Sequence, residues 1–424
     1  MNLGVKTLGW LAHGVIKRYR PLVIAITGSV GKTSAKEAIY TVLASNGSVR
    51  KTAKNYNNEL GVPLTVLGLE APGKNPLAWL SAIGHGLSLL ASEHPYPKIL
   101  ILEMGADNVG DIAYLTEMTQ PHMGILTGIG ASHLEKFGSL ENIVKEKTSI
   151  ISCLPADGVA IVNTDDTVAM TVIGKTKARL VTYGCNEEAD IYAQDVHLSQ
   201  RGEEIGLAFK IHYQGSTVPM FIPGLVGQHQ ISAILAAVAV AVNRNANLLT
   251  IGERLNRWQP TSGRMRLISG RQQCLLIDDT YNSAPQSAKA AIKALAEVGA
   301  LRQSTTYAIL GDMLELGDYS QAGHEEVGHY VQQHTIDYLL TCGSRAADTA
   351  KAATKAGMDP SHVLPFKSTA EAIAWLEQHL QQGSTVLIKG SQGARMEKVT
   401  KALMADQSQA GELLVRQTAE WLRK

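Results

Sequence analysis

"ITGSVGKTSAKEAI", residues 26–39, follows the apolar run "LVIAIT" at 22–27 and opens a helical pattern. Gly28 and Gly31 permit the backbone angles that turn N–H groups toward an anion. Lys32 can bring charge to the outer phosphates and Thr33 a hydroxyl to Mg²⁺. The full P-loop spacing would place its first glycine where Ile26 stands, so the motif is a shortened form. A strand before it and a helix N-terminus after it supply the context of a phosphate cradle. Gly28, Ser29, Gly31, Lys32, Thr33 and Ser34 are its candidate contacts. The competing reading is an ordinary glycine turn.

Beyond this loop, short β-branched runs alternate with helical patterns. "KILILEMG" (98–105), "HMGILTGI" (122–129) and "GVAIVN" (158–163) read as buried strands, with helices over "VGDIAYLTEM" and "LENIVKEKTSIIS". That rhythm predicts a parallel, doubly wound sheet. Between 188 and 222 it gives way to polar-apolar alternation, which predicts a small antiparallel sheet beside the parallel one. A helix is expected over about 229–243. After Pro260 and Gly263 the βα rhythm restarts, with strands at "CLLIDD", "TTYAILGD", "IDYLLTCG" and "STVLIKG". The expected class is α/β: a P-loop-type parallel-sheet domain with a small antiparallel sheet, then a Rossmann-like α/β domain. Expected boundaries are 1–20 for a lead-in helix, 21–255 for the P-loop domain and 256–424 for the second domain.

The composition is that of a soluble globular protein: 45% hydrophobic and 18% charged over 424 residues. A net charge of +1 gives no general attraction to nucleic acid, so anions must be held locally. Cys153, Cys185, Cys274 and Cys342 lie far apart, which predicts reduced, mostly buried thiols in a cytosolic protein rather than disulfides or a zinc site. "MNLGVKTLGWLAHGVIKRYRP" has its basic residues after the apolar run and no small-residue cleavage site, unlike a signal peptide. It is expected to pack as a helix on the first domain; a basic amphipathic helix on a membrane surface is the alternative.

Outside the P-loop, Glu103 ends a strand where a carboxylate would face the ligand crevice. His133, Lys145 and Lys147 share "GASHLEKFGSLENIVKEK", as a metal-binding segment or as a structural histidine with solvated lysines. Arg264 follows the turn in "PTSGRMR" and suits phosphoryl charge, or pairs with Asp278 or Asp279. Asp279, Tyr281 and Asn282 cluster at a strand end. Lys389, Ser391 and Arg395 in "KGSQGAR" suit a carboxylate, unless they are incidental to a strand-loop-helix turn.

Taken together, "TGSVGKTSAKE", "NYNNELGVPLT", "EMGADNVGDI", "SHLEKFGSLENIVKEK", "GQHQ", "GRMR", "IDDTYNSAPQS", "LGDMLELG" and "KGSQGARMEKV" resemble the Mur ligase family, in family order from about residue 20 to 400. The resemblance implies an ATP-dependent acid–amino-acid ligase acting through an acyl phosphate. D-Ala-D-Ala or a similar amino acid would be added to a peptidoglycan-precursor carboxylate. It implies two Mg²⁺ ions, held by Thr33, Glu103, His133 and a carbamylated lysine, matched by Lys147 rather than by the alternative Lys145. It places His229, Arg264, Asp279, Tyr281 and Asn282 at the nucleotide, and Asn57, Asn58, Lys389, Ser391 and Arg395 at the substrate. Lys32, Lys147, His133 and Arg264 become the catalytic set.

Two departures stand out. The family's usual UDP-gripping N-terminal domain has no counterpart in the short lead before the P-loop strand, which leaves the acceptor open. Gln230 and Ala233 stand where the family has asparagines. The expected partners are small molecules, with no nucleic acid, in a cytoplasmic monomer. The alternatives are a ligase for another acceptor, as in folylpolyglutamate synthase, and a nucleotide-binding subunit without catalysis.

Overall fold

In the computed structural model, residues 3–53, 56–73, 75–130 and 137–423 are described. The chain divides into two compact units. The first comprises Met1–Asp195, Phe209–Met220 and Gln230–Trp258; the second comprises Val196–Ala208, Phe221–His229 and Gln259–Lys424.

The first unit begins with helix α1 (Leu3–Tyr19) and strand β1 (Leu22–Thr27), followed by α2 (Lys32–Leu43) and β2 (Val49–Lys51). Then come α3 (Gly61–Leu67), α4 (Pro76–Ala91), β3 (Ile99–Glu103), α5 (Asp111–Thr119), β4 (Met123–Leu126) and α6 (Leu140–Ser152). β5 (Val159–Asn163) and β6 (Arg179–Gly184) are followed by β7 (Ile191–Arg201), β8 (Glu204–Tyr213) and β9 (Ser216–Pro223), each of which has residues in both units, and then by α7 (Ile231–Val242) and α8 (Leu248–Leu255) of the first. The sheet order is β2-β3-β1-β4-β5-β6-β7-β8-β9.

β1 lies between β3 and β4, parallel to both. All of β3, β4 and β5 is buried, which explains why these strands are continuous aliphatic runs: helices cover both faces. α7, "ISAILAAVAVAV", is buried on almost every side and packs against α2. Each fully buried aliphatic side chain contributes about 1.5–3 kcal/mol, so this layer anchors α2 and the loop before it.

One expectation is corrected here. The alternating strands do not form a separate sheet. β7 pairs with the edge strand β6 through Tyr183↔Ile191 and Gly184↔Tyr192, and β8 and β9 continue the same sheet. An edge strand presents unpaired N–H and C=O groups, and β7 satisfies them.

The second unit is built on a six-stranded sheet: β10 (Arg266–Ser269), β11 (Leu275–Asp279), β12 (Thr306–Gly311), β13 (Tyr338–Cys342), β14 (Val363–Phe366) and β15 (Thr385–Lys389). Its order is β10-β11-β15-β12-β13-β14, with β10 antiparallel to β11 and every other pair parallel. The helices are α9 (Pro285–Arg302), α10 (Ser320–Gln333), α11 (Ala346–Lys355), α12 (Thr369–His379) and α13 (Glu397–Leu403). β2, β10 and β14, each only three or four residues long, are not apparent from the apolar pattern.

All four cysteines are free, but Cys153 and Cys185 are exposed, so the expectation of mostly buried thiols holds only for Cys274 and Cys342. Among the described residues no helix is long and apolar enough to cross a membrane.

At Gly124 of β4 the helix α6 crosses close to the sheet: a Cβ there would lie 2.5 Å from the Ile150 carbonyl oxygen. That obstacle is backbone and cannot swing aside. Gly124→Ala should therefore lower unfolding stability by about 1–3 kcal/mol, read as a lower urea midpoint with unchanged slope.

Candidate active site

The register of the central strands places the first cluster. Ile26 of β1 is paired with Glu103 of β3, and Thr27 with Leu126 of β4, so the loop after β1 and the ends of β3 and β4 meet at one sheet edge. Gly28 (φ 152°) and Gly31 (φ 82°) turn the chain there. A Cβ at Gly28 would lie 2.2 Å from Thr127 Oγ1, so only glycine lets the loop approach β4 this closely. Ser29 N–H donates to the Gly128 carbonyl (2.8 Å) and Ser29 Oγ to that of Gly130 (3.0 Å). α2 begins at Lys32 with Gly31 as its N-cap and no side-chain cap, which leaves its first N–H groups available to an anion. Ser34 lies half-buried in that first turn.

Thr33 Oγ1 lies 3.2 Å and 3.1 Å from the two carboxylate oxygens of Glu103. Lys36, one helical turn after Thr33 and 2% exposed, pairs with Glu103 Oε2 at 3.2 Å. Asn57 Nδ2 donates to Glu103 Oε1 (3.3 Å), and Thr52 Oγ1 accepts from the Glu103 N–H (3.0 Å). Burial alone would push the Glu103 carboxyl up, but Lys36, Lys32 and the Asn57 amide outweigh it and hold it below the ordinary value. The carboxylate is therefore anionic at neutral pH, and its ion pair is lost only when the pH falls through that depressed value. A hydroxyl and an ionised carboxylate are the hard oxygen donors that Mg²⁺ prefers, so Thr33 and Glu103 fit the expected metal.

Lys147 lies in a second cluster. It is 5% exposed on α6, while Lys145, two residues earlier, is exposed. The adjacent Glu146 accepts from Ile112 N–H (2.6 Å) at the start of α5, which fixes the rotation of α6. Burial lowers the Lys147 pKa, opposed by Glu146, Asp107 and Asp111. A desolvated amine is more readily neutral, and only the neutral amine can take up CO₂. His133 lies outside the described residues. Among the described residues no three His, Cys, Asp or Glu side chains converge as a metal site. Asn58 Oδ1 is engaged locally, accepting from Gly61 N–H (2.9 Å) at the start of α3.

In the second unit, two acids fix the arginine loop through its backbone. Gly263 N–H donates to Asp278 (2.9 Å), Met265 N–H donates to Asp279 (3.2 Å), and Tyr281 N–H returns to the Gly263 carbonyl (3.0 Å). The Arg264 guanidinium lies 4.2 Å from the Tyr281 ring centre, and among the described residues it forms no ion pair with Asp278 or Asp279. Burial pushes the Asp278 carboxyl up to about 6, against hydrogen bonds from Thr280, Thr400 and Gly263.

The side chains expected to bind a carboxylate have partners inside this unit. Lys389 is 2% exposed and donates to Asp279 (2.6 Å) and to the Asn282 carbonyl (2.9 Å). Ser391 accepts from Leu314 N–H (2.8 Å) and donates to the Ser283 carbonyl (3.2 Å). Arg395 donates to Glu397 (2.6 Å) and to the Trp421 carbonyl (3.1 Å). Lys389 and Ser391 brace the Asp279–Ser283 turn, Arg395 ties Glu397 to the C-terminal segment, and the substrate role expected of them meets a set of donors already engaged. His229 sits in the short turn Gln228–Gln230 before α7.

Residues 26–241 match the Mur ligase middle domain, and residues 263–392 match the Mur ligase, glutamate ligase domain. The chain belongs to the Mur ligase family. The UDP-N-acetylmuramoyl-tripeptide–D-alanyl-D-alanine ligase of Escherichia coli K12 is 33% identical over 401 residues, 93% of this chain and 79% of that one. The Bacillus subtilis ligase of the same name is 30% identical over 395 residues, 93% and 78% of the two chains. The crystal structure of the MurF ligase from Thermotoga maritima in complex with ADP superposes with a TM-score of 0.77 at 25% identity, covering 95% of this chain and 84% of that one.

Within this Mur ligase, the sequence reading missed Lys36, Thr52 and Thr127. Lys36 had a signal: three residues after Thr33, it falls on the same helix face. The buried pair yields a direct test. Glu103→Gln leaves the buried Lys36 ammonium with only the longer, partly exposed Glu37 pair (3.6 Å) and should cost about 2–3 kcal/mol of stability. Lys36→Met combined with Glu103→Gln should recover most of that loss in urea unfolding.

Proposed function

We propose that the chain is an ATP- and Mg²⁺-dependent ligase that makes an amide through an acyl phosphate. It joins D-Ala-D-Ala, or a similar amino acid or dipeptide, to a peptidoglycan-precursor carboxylate. The observation that carries this reading is the Thr33–Glu103 pair beside the uncapped N-terminus of α2. The names of the relatives supply the substrate class.

A carboxylate is a poor acyl electrophile. Attack of its oxygen on the γ-phosphorus of ATP forms an acyl phosphate and releases ADP. The substrate amine, having lost one proton to solvent, then adds to the carbonyl carbon and gives up a second to the departing phosphate. Phosphate leaves with the bonding electron pair, and an amide remains. The backbone amides after Gly28 and the start of α2 bind the phosphates, while Lys32 and Arg264 neutralise the moving phosphoryl charge. Thr33 and Glu103 would hold one Mg²⁺, which when bound offsets charge on the phosphate oxygens. We assign His133 and Lys147 to a second Mg²⁺ site. There the Lys147 amine takes up CO₂ and releases a proton, becoming an anionic carbamate.

His229, Tyr281 and Asn282 are assigned to the nucleotide, and Asn57 to the acceptor side of Glu103. Residues 21–255 form the proposed ATP-binding domain and 256–424 the second catalytic domain. A cytoplasmic monomer remains the proposed setting.

With ATP, Mg²⁺, D-Ala-D-Ala and the muramoyl tripeptide, free or UDP-linked, the protein should release ADP and phosphate in equal amounts and form the amide seen by mass spectrometry. Lys147→Ala should lower kcat at least about 100-fold with ATP affinity unchanged. No ADP release with any peptide carboxylate would refute the ligase reading in favour of a nucleotide-binding subunit. Release with a glutamate-type acceptor alone would move the chain to another branch of the chemistry.

A further inference from the structure

α1 and α4 pack side by side at the surface of the first unit and run in the same direction. Gly4 faces Trp79, Gly14 faces Leu90 and Gly86 faces Leu11, with a Cβ at each only 2.9–3.1 Å from its neighbour. Tyr19 Oη donates to the Leu89 carbonyl (3.0 Å) and closes the far end of the pair. The inner faces supply Leu8, Leu11, Val15 and Leu89 to the core, which accounts for those apolar residues.

The outer faces are not accounted for. Leu3 is 79% exposed and Trp10 65%; on α4, Leu77 is 74% and Leu80 66% exposed, with Leu87 following two turns later. The spacings 3, 6, 10, 17 and 77, 80, 87 each trace one helix face. α4 has no Asp, Glu, Lys or Arg along its 16 residues. α1 has no acidic residue either, and the first acid in the chain is Glu37. Lys6 lies on the same outward face of α1, and exposed Lys17, Arg18 and Arg20 gather at its C-terminal end. The patch of aliphatic side chains and tryptophan carries only cations on its two helices, with exposed Glu93 just past the end of α4 and Glu117 on the neighbouring α5, and an apolar face of this kind is unusual for a surface with no partner.

We propose that this paired-helix face docks on an anionic lipid surface. The leucines and Trp10 would enter the boundary between headgroups and acyl chains, while Lys6, Lys17, Arg18 and Arg20 meet the phosphates. Two features select a bilayer over a protein partner: the outer face of α4 lacks charge from end to end, and every charged side chain on the two helices is a cation. This docking is independent of the ligase reading, because none of these residues belongs to the nucleotide or metal clusters.

The test is co-sedimentation of the full chain with vesicles of phosphatidylcholine alone and with vesicles of equal parts phosphatidylcholine and phosphatidylglycerol. Binding should be confined to the anionic vesicles and weaken with salt. Lys6→Glu with Lys17→Glu, and separately Leu77→Ser with Leu80→Ser, should each lower it about tenfold or more, with ATP affinity and circular dichroism unchanged. Absence of binding to anionic vesicles would overturn the proposal. Binding insensitive to both double variants would overturn it too. So would self-association of the wild type that Leu77→Ser abolishes, because the occupant would then be a second copy of the chain.

Discussion

The first unit turns on one buried charge. Glu103 ends a central strand at 4% exposure, where an isolated carboxylate would take up a proton. Lys36 prevents that from one side, and Lys32 and Asn57 add to it. The same electrostatics hold Thr33 against the carboxylate and tie the start of α2 to the end of β3. The phosphate loop is fixed between them, and its geometry follows from the register of β1 with β3 and β4. In the proposed mechanism stability and chemistry share one set of atoms: the pair that keeps Glu103 ionised also fastens the helix whose N-terminus is assigned to the phosphates.

The second unit solves a similar problem with backbone. Asp278 and Asp279 spend their oxygens on the amides of Gly263 and Met265, on neighbouring hydroxyls and on Lys389. Arg264 therefore stands on a loop held from both sides, its guanidinium stacked on Tyr281 instead of quenched by an acid. A cation kept free of carboxylates retains its charge for an anionic ligand. Lys389 and Ser391 hold the Asn282 and Ser283 carbonyls that follow Tyr281.

Much of this was legible in the chain. Continuous aliphatic runs identify buried parallel strands because both faces are covered. The glycine loop marks its own geometry, since glycine at 28 and 31 answers a need of the backbone. Glu103 could be read from its place at a strand end. Other features depended on tertiary contacts. The lysines of "KGSQGARMEKV" and of the α2 segment look alike as charges, yet Lys389 and Lys36 are both buried in ion pairs. Lys145 and Lys147 differ by two positions and by burial alone, which only the packing of α6 decides. The outlying strands β2, β10 and β14 are too short to show a period, and β7 joined the large sheet because an open edge was there to pair with.

The acyl phosphate is the central claim, and the fate of one oxygen tests it most directly. If the acceptor carboxylate is labelled with heavy oxygen and the reaction run to completion, one labelled atom should appear in each inorganic phosphate released. Unlabelled phosphate accompanying amide formation would contradict phosphoryl transfer to the carboxylate, and with it the role assigned to the phosphate loop.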